Sequence, residues 1–559
     1  MRTASDYLAQ TMADCGLDHF FHMPLVLPNA VKAMQRVGVH PIVAHSEKAA
    51  AYMADGYARA SGKIGVCAAQ AIGAANLAAG LLDAYMARSP LLALTGGGTP
   101  QSRERNTYQE VDQRPIYAGL SKMTARVETA TRFPDLLGQA MRVATSGAPG
   151  PVHLELNGFT GGVLDEALAD PPPVDRRYAA APPVRHAAPH DDIEAAARAI
   201  TNAQRPIIVA GSGIRASRAQ DALAAFSRAL QLPLAASLDA KAALPESDPL
   251  SVGPVGKYSR ETANMAVSEA DFVLFVGTTT GSMVSWDWHV PKPGVPAVQI
   301  DVDARELGRN YPLIVGLAGD PATILDQLRE AAREQPPRDA WLKRIAALRR
   351  EWRDAYDAIE HSEHLPMRPE RLCRALSDTL PDGALVVVDT GHTAIWAARH
   401  IYLDRPAQGL LRCAGSLGWS YPAALGAKCA QRDRPVVCFT GDGALLYHLS
   451  EMETSLRYGI NTVTVINNNN SYSQERHIWE EDAVSNHNWL FKPVSYAKVA
   501  EAFGVKSLAV EQPRDIASAM KDALQAKTPT IIEVMADRQV SSPPAWRPGE
   551  KVVRPKDAY

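Results

Sequence analysis

An excess of charge of either sign is the first thing this chain lacks. Its 58 Lys+Arg stand against 61 Asp+Glu, a net charge of −3 over 559 residues, so no polyanion-binding surface is advertised and nucleic acid is not an expected partner. No apolar run is long enough to span a membrane. The first residues, 1-MRTASDYLAQTMADCG-16, carry acids and a helical apolar rhythm in place of the continuous hydrophobic region of a signal peptide. Cysteine is scarce too. Cys15, Cys67, Cys373, Cys413, Cys429 and Cys438 are scattered with no CxxC pair, which predicts reduced core thiols, a cytoplasmic protein and no structural zinc.

Length and punctuation predict several domains. A proline-laden stretch, 166-EALADPPPVDRRYAAAPPVRHAAPH-190, reads as an extended connector, and EQPPRD within 333–339 marks a second junction. Strand-then-turn segments alternating with helical patterns argue an α/β chain of three doubly wound parallel sheets. The expected division is 1–165, linker 166–190, central domain 191–335, helical connector 336–366, 367–545, and a tail over 546–559. In the central part Gly211-Ser212-Gly213 is an incomplete dinucleotide fingerprint, with Ala216 where a third glycine would stand.

The most informative stretch is 441-GDGALLYHLSEMETSLRYGINTVTVINNNN-470. A β-branched PVVCFT run precedes it, as a buried parallel strand requires, and the glycines permit a sharp turn at its end. Leu445, Leu446, Leu449, Met452 and Leu456 recur at helical spacing, Gly459 stops the helix, and Thr462 to Ile466 resumes a strand. One βαβ unit therefore returns the Asn cluster to Asp442. An Asp carboxylate with an Asn amide oxygen suits Mg²⁺, which takes one or two hard protein ligands beside phosphate and water.

With GDG, a spacer of this length and then NN, the chain resembles, over nearly its whole length, the thiamine-diphosphate-dependent enzymes of the acetohydroxyacid synthase and pyruvate decarboxylase group. The resemblance implies that Asp442 and Asn469 bind the metal through side chains and Ser471 through its backbone carbonyl, with the run of four Asn leaving the register open by one. It also implies a role for Glu47, eight positions before the Asp of 54-ADGYAR-59. A carboxyl group on the pyrimidine N1′ favours the imino tautomer that takes the proton from thiazolium C2. Read alone, Glu47 after Ser46 is an acidic first-turn residue that complements a helix dipole.

Further matches place the rest of the coenzyme. Segment 415-GSLGWSYPAALGA-427 resembles the loop that holds the aminopyrimidine, with the Gly415 carbonyl accepting from the 4′-amino group and Leu417 wedged between the rings. In 386-VVVDTGHTAIW-396, Gly391, His392 and Thr393 offer a helix start to the diphosphate, joined by Gly441, Gly443 and Ala444. For Leu417 and His392 the bland alternatives are a core leucine and a surface histidine. In the family the coenzyme lies between two chains, so a homodimer or homotetramer is implied.

No His-His dipeptide of the pyruvate decarboxylase kind is present, and the QE-x-D motif at Gln109 to Asp112 resembles the acetohydroxyacid synthases. The expected activity is therefore carboligation from a small 2-oxo acid or aldehyde to a carbonyl acceptor through an enamine. The alternatives are a 2-oxo acid decarboxylase or 2-hydroxy ketone lyase, and a silent coenzyme-binding partner subunit. Departures from the pattern lie at candidate substrate positions. Val26 follows FHMPL where FGxPG is usual, Gln70 lies in 69-AQAIGAAN-76, and Gln474 and Glu475 replace apolar side chains. Each is alternatively a neutral packing change. FAD is retained in some family members, but 277-GTTTGSMVSWDW-288 stands where the RFDDR segment of the FAD-containing ones would be.

Overall fold

The computed structural model describes residues 2–332, 336–479 and 488–553. Three six-stranded, all-parallel sheets follow one another along the chain. The first runs His40–Val43, His19–His22, Gly65–Ala69, Leu91–Gly97, Val152–Asn157, Met123–Val127 in spatial order. The last runs Gly409–Arg412, Leu385–Val388, Val436–Gly441, Val463–Asn468, Thr530–Met535, Lys506–Val510. Numbered within each sheet, both have the order 2-1-3-4-6-5, whereas the middle sheet has 3-2-1-4-5-6. Strands such as VVCFTG and FVLFV are apolar on both faces because helices cover both sides. Part of the EQPPRD junction lies outside the described residues, and the 22-residue helix Asp339–Glu360 follows it.

The first and last sheets are joined by two helices in very close contact. Helix Glu47–Ser61 carries the ADGYAR sequence and helix Ser420–Ala430 carries PAALGA. A Cβ on Gly56 would overlap the Ala423 carbonyl, and one on Gly426 would overlap the Met53 carbonyl. Both motifs thus place glycine where two backbones touch. Asp55 extends the contact, accepting Trp419 Nε1 at 2.8 Å and both Arg59 Nε and Nη2 at 2.8 and 2.5 Å. Gly426→Ala is expected to destabilise the protein by at least ~3 kcal/mol, because backbone offers no soft atom to yield. Urea unfolding checks this; a loss under ~1 kcal/mol would mean the helices separate freely.

His153 ties the core of the first sheet to the strand beside it. Its ring lies 3.6 Å from that of Tyr117, with Thr95 Oγ1 2.7 Å from Nε2 and Thr124 Oγ1 2.8 Å from Nδ1. Burial pushes the imidazole down to about 3. The folded value lies below the unfolded one of about 6.5, so the unfolded chain binds the extra proton. This contribution is complete above pH ~6.5 and is lost as pH falls towards 3. His153→Gln should flatten the dependence of unfolding free energy on pH across that window; an unchanged slope would assign the acid sensitivity elsewhere.

The single helix expected over Leu445–Leu456 is broken. A short helix Asp442–Leu445 and a 3-10 turn Leu446–His448 precede the helix Glu451–Arg457. Leu446 and Tyr447 are exposed, so the apolar residues do not form one buried stripe. The break also lets Gly418 approach the Tyr447 side chain and the Ala444 carbonyl, where a Cβ would lie 2.7 and 3.1 Å away.

Candidate active site

The order 2-1-3-4 creates a switch point between the first and third strands of the last sheet, where connections leave to opposite faces and open a crevice. The loops that follow Leu385–Val388 and Val436–Gly441 enter it. Gly391 has φ +70° and ψ −152°, a conformation suited to glycine, and caps helix His392–His400, whose first N–H groups are free of intrahelical partners. A cavity of about 260 Å³ lies here. It is lined by Gly391, His392, Thr393, Gly415, Leu417, Gly441, Asp442, Gly443, Ala444, Asn469, Ser471, Gln474 and Glu475.

The Asn run resolves by strand alternation. Asn468 turns away, donating to Glu533 Oε1 at 2.7 Å and the Val494 carbonyl at 3.2 Å. Asn467 and Asn469 line the cavity. Asn469 Oδ1 accepts from Ser471 Oγ at 2.9 Å, while the buried Asn467 Oδ1 has no hydrogen bond. Asp442 is 2% exposed and takes the Ser471 N–H at 3.2 Å. No cation lies within ion-pair distance of it among the described residues, and burial pushes its carboxyl up to about 7. A buried carboxylate without a counter-ion beside an orphaned amide oxygen is a donor set that fits Mg²⁺. No cluster of three His, Cys, Asp or Glu occurs among the described residues, and Mg²⁺ takes only one or two protein ligands beside phosphate and water.

Two buried carboxylates hold the 414–420 loop in place. Asp83 accepts the N–H groups of Ala414, Gly415 and Ser416 at 2.9, 3.2 and 3.0 Å. Asp389 accepts those of Gly418 and Ser420 at 3.0 and 2.9 Å. Sequence reasoning missed Asp83, whose loop partners lie more than 300 residues away, and Tyr258, which reaches the cavity from the middle domain. Asn467 was within reach, since period-two alternation places it on the face of Asn469.

Glu47 lies elsewhere, on the carboxyl-end crest of the first sheet. It opens its helix behind Ser46, whose Oγ caps Ala49 N at 3.1 Å. Asn76 Nδ2 donates to Glu47 Oε2 at 3.3 Å, and a Cβ on Gly73 would come within 2.6 Å of Oε1. Gln70 follows strand Gly65–Ala69 with its Oε1 buried and without a hydrogen bond. Gln109 Oε1 accepts from Ile72 N at 3.2 Å. Val26 packs into the apolar core at 1% exposure, while its neighbour Leu25 is 69% exposed. None of Glu47, Gln70, Gln109 and Val26 lines the cavity at Asp442.

Comparison with known proteins agrees with this layout. Residues 2–116 match the family described as thiamine pyrophosphate enzyme, N-terminal TPP binding domain; 193–328 match its central domain and 389–534 its C-terminal TPP binding domain. The chain belongs to the thiamine pyrophosphate enzyme family. It is 30% identical over 516 residues to a probable acetolactate synthase large subunit of Methanocaldococcus jannaschii, covering 89% of this chain and 85% of that one. It is 27% identical over 558 residues to the acetolactate synthase isozyme 1 large subunit of Escherichia coli, covering 98% and 96%. This thiamine-diphosphate-dependent enzyme has no helix, among its described residues, long and apolar enough to cross a membrane.

In the middle sheet the Gly211-Ser212-Gly213 turn packs tightly against the loop at Gly277. A Cβ on Gly211 would meet the Thr278 side chain at 2.6 Å and one on Gly213 would meet Gly277 Cα at the same distance. The fingerprint glycines serve packing between neighbouring loops, and the cavity beside them is about 60 Å³.

Proposed function

We propose that this enzyme is a Mg²⁺- and thiamine-diphosphate-dependent carboligase that joins a small 2-oxo acid or aldehyde to a carbonyl acceptor. The observation that carries the reading is the crevice at Asp442, where a buried carboxylate without a cation, the Asn469 and Asn467 amide oxygens and two free helix starts converge. In this reading Asp442 and Asn469 hold the metal by side chains and Ser471 by its carbonyl. Gly391, His392, Thr393, Gly441, Gly443 and Ala444 cradle the diphosphate, Gly415 takes the aminopyrimidine, and Leu417 shapes its approach to the thiazolium. The bound coenzyme supplies a nucleophilic carbon and an electron sink for decarboxylating 2-oxo acids. Glu47 governs the proton at pyrimidine N1′.

Because Glu47 and the crevice lie on different crests, the complete site belongs to two chains of a homodimer or homotetramer. Exposed apolar side chains support this. Leu25, Ile72 and Tyr108 stand out near the Glu47 crest, and Leu446, Tyr447 and Ile478 near the crevice. A dry interface also strengthens the carboxyl hydrogen bond that activation needs. Cytoplasmic location is part of this reading.

Gln474, Glu475 and Gln70 favour a polar acceptor, since a buried polar group without a partner costs ~1–3 kcal/mol. The ratio of kcat/KM for acceptors differing by one hydroxyl should favour the hydroxylated one in the parent and fall in Gln474→Met with Glu475→Val. A parent preferring the apolar acceptor, with no shift in the double variant, would contradict this role. A second reading, simple decarboxylation, rests on a histidine pair beside the crevice: the His392 and His477 rings lie 5.1 Å apart, and burial pushes the His392 imidazole down to about 3, leaving it neutral near pH 7. Screening 2-oxo acids with varied aldehydes and analysing products decides between them. Coupled product supports ligation, and free aldehyde alone supports decarboxylation.

A further inference from the structure

We propose that a second cavity, at the junction of the three domains and away from the thiamine crevice, binds a small multiply charged anion bearing phosphate or carboxylate groups. The cavity measures about 690 Å³, the size of a small-molecule site. Its walls come from the end of helix Glu47–Ser61, from the middle domain at 214–245 and from the last domain at 403–411 and 431–434.

Arginine supplies all the positive charge of the lining, and the ion pairs do not use it up. Arg59 is answered by Asp55 and Asp83, Arg88 by Glu306, and Arg228 by Asp248. Asp239 is answered by Arg412 from outside the lining, at 3.0 Å. Four arginines remain without a carboxylate within 4 Å among the described residues. Arg218 donates to the Ser61 carbonyl at 2.9 Å and Arg405 to that of Asp378 at 3.1 Å. Arg434 donates to the Gly383 and Ala407 carbonyls and to Gln431 Oε1. Arg215 makes no side-chain hydrogen bond or ion pair within 4 Å among the described residues, though it feels the charge of Asp239. The only carboxylate of the lining left over is Asp221.

Arg218 and Arg405 are exposed to solvent, so the cost of an empty cavity falls on Arg215. Burial pushes the Arg215 guanidinium down to about 10, with the charge of Arg59 adding to the effect and those of Asp239 and Asp55 opposing it. An anion entering the cavity would meet planar forks suited to paired oxygens, and Arg's donors favour phosphate and carboxylate geometry. It would also join groups from three domains, so its binding should raise their joint stability.

The test uses holoenzyme saturated with Mg²⁺ and thiamine diphosphate, which keeps anions out of the crevice. Pyrophosphate, ADP and citrate are titrated separately by calorimetry, distinguishing inorganic phosphate, nucleotide and carboxylate sources. At least one is expected to bind and to raise Tm. Arg215→Gln should weaken it about tenfold or more, since Arg215 has no contact to lose and the fold should be kept. If Arg215→Gln does not fold, Arg218→Gln serves in its place. The exposed Arg198→Gln should leave binding unchanged. Absence of binding by all three up to ~10 mM, or binding unchanged by the cavity substitutions, overturns the proposal.

Discussion

Glu47→Gln is expected to fold, to bind Mg²⁺ and thiamine diphosphate as tightly as the parent, and to lose activity by on the order of 10²- to 10⁴-fold. The expectation of intact binding follows from position: Glu47 sits on the first sheet's crest and touches none of the groups around Asp442. The expected loss follows from chemistry, because a glutamine amide cannot support the imino tautomer as a carboxyl does. Exchange of the C2 proton for deuterium in the bound coenzyme reports the step itself. Slow exchange in the variant supports the assignment; exchange as fast as in the parent would reduce Glu47 to a residue that opens a helix.

Asp442→Ala has the opposite signature. It removes the buried carboxylate that the Ser471 N–H meets at 3.2 Å, and with it the charge that neutralises a metal. Coenzyme affinity should fall by at least about 100-fold, beyond what loss of an outer-shell partner causes. The Mg²⁺- and coenzyme-dependent rise in Tm seen in the parent should vanish with it. Affinity unchanged in a folded Asp442→Ala protein would remove the metal from this crevice.

How much of this was legible in the sequence depended on how local the cause was. The three parallel sheets were readable because runs such as PVVCFT and DFVLFVG are apolar without alternation, the mark of strands covered on both faces. The crevice was readable because its groups follow two strands directly, and the Gly-Asp-Gly turn is a chain-local device. Distance along the chain hid the rest. Asp83 looks like any acid in a helix until its three amide partners in 414–416 are seen. Gly56 and Gly426 looked like parts of motifs, and only the helix crossing shows that each makes room for a carbonyl. The break after Asp442–Leu445 was missed because apolar spacing records which residues are greasy, not which are buried. Leu446 and Tyr447 are apolar and exposed. The separation of Glu47 from the crevice followed from the family resemblance rather than from any residue pattern.

The central claim is that one complete site takes Glu47 from one chain and Asp442 from another. Co-expressing Glu47→Gln and Asp442→Ala chains and measuring the activity of the mixture tests it most directly. Random pairing makes about half the dimers mixed, and each mixed dimer holds one site with both residues intact, so about a quarter of parental activity should return. Each variant alone should stay near background. A mixed dimer, purified through two different tags, that is no more active than either variant would place both residues in a single-chain site and contradict the account.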